Sequence, residues 1–346
     1  MAQSDLARLL QLDGDLRLDF LDAPALRGNA LGDPATRPLA VYLPPGYDAG
    51  GSRRYPVLYV LHGYTGSVAG VVAGDPWKTN VVQWADRLLR ERRMPEALVA
   101  VVDGWNRYGG SQYVDSIGSG DYATYTVRDV VGHVDATYRT IPSDGGRAVL
   151  GKSSGGFGAL HLTMAHPGVF GAMASHSGDA NFIQASLPAF ASAQRTLERH
   201  AGDVRAFVRA FEATNKPSQS EFQTIEMLGY AAAYSPRSGE PYDLELPWDA
   251  ATGALDERVF SRWRAYDPVE RCRAHVAEFA RLRLCYIDCG RRDEYALDVG
   301  ARMLVARLRE AGVAVRHEEF DDDHRNVGYR HAVSLPALVT ALESAR

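Results

Sequence analysis

Gly151-Lys152-Ser153-Ser154-Gly155 lies between Arg147-Ala148-Val149-Leu150 and Phe157-Gly158-Ala159-Leu160-His161-Leu162-Thr163-Met164. The first flank reads as a buried strand. The second carries apolar residues at helical spacing and stops at His166-Pro167. A G-x-S-x-G between a strand and a helix is the nucleophile-elbow arrangement. Its turn is so tight that the flanking positions need glycine, and it lifts the serine hydroxyl clear of the backbone. Ser153 is therefore the candidate nucleophile for attack on a carbonyl.

Outward from this turn, strand and helix patterns alternate. Leu16–Leu21, Leu39–Leu43, Pro56–Leu61, Ala97–Val102, Phe170–Ser175, Leu282–Cys289 and Val313–Phe320 read as strands. Asn80–Arg90, Tyr122–Tyr138, Ala296–Ala311 and Ser334–Ser344 read as helices. This rhythm predicts an α/β fold, a mostly parallel central sheet with helices on both faces. The alternation breaks after Asp179, where Pro188–His200 and Val204–Thr214 read as helices followed by a loop containing Pro and Trp. The expected organisation is one sheet domain, 1–178 and 266–346, with a helical insertion or cap at 179–265.

A serine hydroxyl needs a base to take its proton, commonly a His oriented by a carboxylate. After an elbow the expected chain order is Ser, Asp or Glu, His. Gly290-Arg291-Arg292-Asp293-Glu294-Tyr295 and Phe320-Asp321-Asp322-Asp323-His324-Arg325-Asn326 each follow a strand, and sites in open α/β sheets collect at the carboxyl ends of strands. Asp293 is the expected orienting acid, with Glu294 and Asp288 as rivals. His324 is the expected base, since His331 does not follow a strand. The oxyanion needs two N–H donors, expected from Ser154 and from Tyr64 in the turn His62-Gly63-Tyr64-Thr65-Gly66, with Gly63 as the alternative. His62 is expected to brace that turn. Trp105, in Trp105-Asn106-Arg107-Tyr108-Gly109, and His176 are expected to line the substrate pocket, with Trp248 and Trp263 of the insertion helping to set its size.

Gly146-Arg147-Ala148-Val149-Leu150-Gly151-Lys152-Ser153 also fits the letters G-x-x-x-x-G-K-S of a phosphate-binding loop. That motif needs its strand before the first glycine and an open loop of amides in the middle, whereas here the middle residues are the strand. Adjacent residues such as Asp321, Asp322, Asp323 and His324 rarely converge on one ion, so no metal is expected. The acidic run instead favours the imidazolium form of His324.

Composition narrows the function classes. Across 346 residues the net charge is −5, so no basic surface points to nucleic acid or an anionic membrane. No stretch approaches the roughly 18 apolar residues of a membrane span, and Met1-Ala2-Gln3-Ser4-Asp5 lacks a basic, then apolar, leader pattern. The odd set Cys272, Cys285 and Cys289 reads as buried free thiols. A cytoplasmic protein is the expectation, with homo-oligomerisation left open.

Taken together, Tyr42-Leu43-Pro44-Pro45-Gly46-Tyr47, Leu61-His62-Gly63, Gly110-Ser111-Gln112-Tyr113, the elbow, His166-Pro167-Gly168-Val169-Phe170, Ser175-His176-Ser177-Gly178 and the Asp293 and His324 loops resemble the esterase D-like Putative esterase family. That group contains S-formylglutathione hydrolases, enterochelin esterases, feruloyl esterases and mycolyltransferases. The resemblance implies an α/β-hydrolase fold, a Ser153–His324–Asp293 triad, no cofactor and a small-molecule ester substrate. Thr65-Gly66-Ser67 lacks the Cys usual in S-formylglutathione hydrolases, and Asp322 and Asp323 replace the small residues common before the family's His. The expected activity is carboxylic ester hydrolysis through an acyl-enzyme, on a small or aromatic acyl group. An acyltransferase using the same residues and a non-catalytic binding protein on the same fold are the rival expectations.

Overall fold

A computed structural model describes residues 3–47 and 51–344. Eight strands build the main sheet: β1 (Asp15–Asp22), β2 (Thr36–Leu43), β3 (Val57–Leu61), β4 (Leu98–Val102), β5 (Arg147–Lys152), β6 (Ala172–His176), β7 (Leu284–Gly290) and β8 (Val315–Phe320). Their order is β1-β2-β4-β3-β5-β6-β7-β8. β1 and β2 run antiparallel at one edge, and β4 through β8 are mutually parallel. The fold class is thus the mixed, mostly parallel α/β sheet that the sequence predicts. The middle residues of the phosphate-loop pattern, Arg147–Lys152, are β5 itself.

The longer helices are α1 (Val81–Arg90), α2 (Ser154–Ala165), α3 (Phe190–Glu198), α4 (Val204–Ala213), α5 (Gln219–Tyr234), α6 (Glu257–Arg264), α7 (Leu297–Glu310) and α8 (His331–Glu343). Strand alternation sends Tyr59, Leu61, Val149 and Met173 to one face, where Leu160 of α2 and Leu304 of α7 join them. Leu58, Val60, Leu150, Ala172 and Ala174 go to the other, against Val82 of α1 and Leu335 and Leu338 of α8. Both faces are covered, which is why these strands read as continuous apolar runs.

Between β6 and β7 the chain leaves the sheet, and its helices form a third core around Phe190, Phe207, Leu228 and Trp263. Phe157 of α2 belongs to the same cluster, with its ring 6.0 Å from that of Phe182, so this region is packed onto the sheet's helices. One expectation fails here. The stretch read as a loop after Thr214 contains α5, sixteen residues long, opened by a capping box in which the Ser218 hydroxyl accepts the Glu221 N–H and Glu221 accepts the Ser218 N–H. Cys272, Cys285 and Cys289 are free and buried. Among the described residues no helix is long and apolar enough to cross a membrane.

Candidate active site

Strand register gathers the functional loops. Leu61 of β3 lies beside Gly151, Lys152 beside His176, His176 beside Asp288, and Gly290 beside Phe320. The turns that follow β3, β5, β6, β7 and β8 therefore emerge together at the carboxyl edge of the sheet. Ser153 occupies the junction of β5 and α2 with φ 59° and ψ −126°, a conformation that costs a non-glycine residue about 1–3 kcal/mol. Its N–H donates to the His176 carbonyl at 3.0 Å, and its own carbonyl accepts the Phe157 N–H at 2.9 Å, so the strain is held from both sides. The flanking glycines are steric necessities: a Cβ on Gly155 would lie 2.1 Å from the Leu61 carbonyl oxygen, and one on Gly151 2.4 Å from the Gly155 carbonyl.

The elbow presents Ser153 to His324. Ser153 Oγ lies 3.0 Å from His324 Nε2, and His324 Nδ1 lies 2.8 Å from Asp293 Oδ2. His324 and Asp293 are both buried. Burial opposes ionisation of Asp293, but the His324 hydrogen bond and charge, with the Tyr295 N–H at 3.0 Å, outweigh it. The carboxyl is held below its ordinary range. The rival acids are engaged elsewhere: Glu294 accepts the His324 backbone N–H at 2.9 Å, and Asp288 accepts from His176 and from Arg330.

The turn after β3 is fixed against this trio. Gly104 N–H donates to His62 Nε2 at 2.8 Å while His62 Nδ1 meets the Gly63 carbonyl at 2.9 Å, a pattern that requires the neutral Nδ1–H tautomer. His62 therefore ties the turn to the loop after β4, and Thr65 N–H donates to the Gly109 carbonyl at 2.8 Å as a second tie. Gly63 sits so close that a Cβ there would be 3.4 Å from Ser153 Cβ. Among the described residues the N–H groups of Tyr64 and Ser154 have no acceptor.

A cleft of about 450 Å³ opens on Ser153 and His324. Its walls include Tyr64, Asp179, Phe222, Glu226, Tyr230 and Tyr295. Asp179, immediately beyond β6, is buried with Oδ1 3.5 Å from Ser153 Oγ; its Oδ2 accepts from Ser154 Oγ at 3.3 Å and from Tyr230 at 3.2 Å. Tyr230 also reaches Glu226 at 3.5 Å, so one phenolic proton serves two carboxylates. Burial raises the Asp179 pKa above the usual carboxylate value, and burial with the charge of Asp179 pushes Glu226 up to about 8. None of these three was anticipated. In the sequence Asp179 reads only as the start of the insertion, and Glu226 and Tyr230 fall in the stretch read as loop.

Two expected pocket residues are corrected. His176 does not line the cleft: its Nδ1 lies 2.7 Å from Asp288 Oδ1 and its Nε2 3.0 Å from Ser334 Oγ, all three fully enclosed beneath α8. Trp105 is absent from the lining too, with its side chain 40% exposed, while its carbonyl accepts from Arg37 and Tyr122. Trp263 is core, and Trp248 borders a separate surface cavity of about 950 Å³ within the insertion that touches none of the trio. His331 is half-buried beside His176, and desolvation first, then the neighbouring His176, takes its pKa down to about 3. Asp321 pairs with Arg292 at 2.8 Å. Among the described residues no group of three or more His, Cys, Asp or Glu side chains is placed to hold a metal ion.

The chain is similar to known proteins in sequence and in fold. A sequence model described as Putative esterase matches residues 30–336. Esterase Rv1288 and Esterase MT1326 of Mycobacterium tuberculosis are each 32% identical over 143 residues, 41% of this chain and 29% of theirs, so the chain spans under a third of the length of the curated relatives it matches. Among solved structures, a ferulic acid esterase superposes with a TM-score of 0.62 at 18% identity, over 95% of this chain and 99% of that one. An S-formylglutathione hydrolase from Agrobacterium tumefaciens gives 0.59 at 17% identity, over 96% of each chain. The serine hydrolase FphF of Staphylococcus aureus gives 0.59 at 14% identity, over 95% and 99%. These neighbours establish the α/β-hydrolase fold.

Proposed function

Because the chain belongs to the Putative esterase family, we propose that it is a serine carboxylic ester hydrolase working through an acyl-enzyme. The carrying observation is the continuous chain Ser153 Oγ to His324 Nε2 at 3.0 Å and His324 Nδ1 to Asp293 Oδ2 at 2.8 Å. Asp293, held ionised, fixes the Nδ1–H tautomer, which leaves the Nε2 lone pair for the serine proton. As Ser153 Oγ bonds to the carbonyl carbon, its proton passes to His324. The oxyanion accepts from the free N–H groups of Tyr64 and Ser154. The carbon–oxygen bond to the alcohol then breaks, and His324 returns the proton to the departing oxygen. Water adds to the acyl-enzyme by the same route, releasing the carboxylic acid and restoring Ser153.

The size of the cleft, with Phe222 and Tyr295 in its walls, favours a small or aromatic acyl group, the class named for the ferulic acid esterase above. Residues 179–265 act as a cap in this reading, since α5 supplies one wall of the cleft. The test is labelling with a fluorophosphonate and mapping of the adduct, with His324→Ala alongside. Adduct on Ser153 that is lost in the His324 variant supports the reading. No adduct on folded protein whose cleft admits a small probe overturns it.

A further inference from the structure

Asp179 is a buried acid with no ion pair among the described residues. It is 8% exposed, it lies against the nucleophile, and its only hydrogen-bond donors among the described residues are hydroxyls. Among the described residues Glu226, across the Tyr230 hydroxyl, also has no cation paired with it. A buried carboxylate without a cation is costly to keep. The other charges of the cleft do not neutralise it. Arg325 faces Glu294 at 3.4 Å, and Lys152 and His324 act on Asp179 only from a distance, without an ion pair to it among the described residues. The Tyr64 hydroxyl, in the same wall, is buried without a partner.

We propose that Asp179 and Glu226 form the receptor for a protonated amine carried by the substrate beside its scissile ester, making aminoacyl esters the preferred substrate class. This rests on the esterase reading above. In an acyl group bound to Ser153, an α-nitrogen lies roughly 3 Å from Oγ by standard bond lengths. Asp179 Oδ1 lies 3.5 Å from the same Oγ, so an acyl group that turns its α-nitrogen toward Asp179 brings the two within hydrogen-bonding reach. An ammonium has three protons to place, and Asp179, Glu226 and the Tyr64 oxygen supply acceptors around one wall. A methyl in its place would leave those acceptors facing an apolar group, the situation in which a polar pocket discriminates strongly.

The test compares L-alanine benzyl ester with benzyl isobutyrate, which differ by ammonium against methyl, following benzyl alcohol release by chromatography at pH 6.5–7. The expected result is a kcat/KM ratio of at least about tenfold in favour of the alanine ester. The ratio should collapse toward one in Asp179→Asn and fall in Glu226→Gln, which also serves if the first variant folds poorly. Because the readout is a ratio within each variant, general loss of activity does not mimic it. A ratio of one in the unmodified protein overturns the inference and leaves the esterase reading intact. So does a preference that survives both substitutions, or preferential turnover of benzyl hemisuccinate, which would put Lys152 or Arg325 in charge. Turnover of none of these esters or of p-nitrophenyl acetate by folded protein overturns both.

Discussion

Glu294 holds the backbone of His324 and Asp293 holds its ring: the Glu294 carboxylate accepts the His324 N–H at 2.9 Å, while Asp293 Oδ2 lies 2.8 Å from Nδ1. Two adjacent acids in one loop therefore do different work. Asp293→Asn should lower kcat on p-nitrophenyl acetate by about ten-thousand-fold, because the amide presents the wrong tautomer partner to the ring. Glu294→Gln keeps an acceptor for the N–H and should cost less than about tenfold. Steady-state kinetics on the two variants separates them, and the reverse ranking would reassign the acid.

Ser153→Ala should reduce kcat by about a millionfold. The fold should be unaffected or slightly more stable, since the smaller side chain still occupies the strained elbow. Residual turnover within about tenfold of the parent, after burst titration excludes contaminating enzyme, would remove Ser153 from the chemistry.

Gly155→Ala should be among the most damaging single-atom additions in the chain, because the new Cβ meets a strand carbonyl oxygen at 2.1 Å. Relief requires moving α2 away from β3. A loss of more than about 3 kcal/mol is expected from overpacking of this kind, read from urea unfolding. Near-parental stability would mean that the elbow relaxes more freely than its packing implies.

Glu226 predicts a pH dependence of stability. It faces Asp179 from the turn after β6, Tyr230 on its own helix, and Tyr64 and Tyr295 from the loops after β3 and β7. Burial raises its folded pKa to about 8, from 4.5 for the free side chain. Between these values the folded state holds more protons than the unfolded state, so this group's contribution to stability falls as pH rises through the window. Tm should therefore drop by a few degrees more between pH 5 and pH 8 in the parent than in Glu226→Gln. Parallel Tm curves would mean that Glu226 titrates normally.

His176→Ala should destabilise by about 2–4 kcal/mol, since it strips hydrogen bonds from both Asp288 and Ser334 inside the core. The molecules that remain folded should still label at Ser153, because only the main chain of His176 touches the elbow. Loss of labelling without loss of stability would restore His176 to the site.

The strands were legible because burial on both faces leaves unbroken apolar runs, and the trio was legible because each member follows the end of such a run. α5 was not: ten of its sixteen residues are buried, so no polar stripe marks a helical period, although Ser218-x-x-Glu221 announces its start. With α5 went Glu226 and Tyr230. The direction of His176 was readable from parity. Ala172, Ala174 and His176 alternate along β6, and the two alanines pack on the α8 face, which carries His176 to Ser334 and away from the cleft. For Trp105 the residue type suggested a pocket, but hydrogen bonds to its carbonyl decide how the loop lies, and these leave no trace in the sequence.

Asp288, His176 and Ser334 are spaced at 2.7 and 3.0 Å, much as Asp293, His324 and Ser153 are spaced at 2.8 and 3.0 Å. The enclosed set has a relaxed helical serine and no path to solvent, so it acts as mortar between β6, β7 and α8. Because Ser334 rides on α8 itself, lifting that helix would part its hydroxyl from His176 and open the His176–Asp288 pair to solvent. A reagent selective for imidazole that modifies His176 would then report undocking of the C-terminal helix, so the buried trio works as a seal whose breaking can be read chemically.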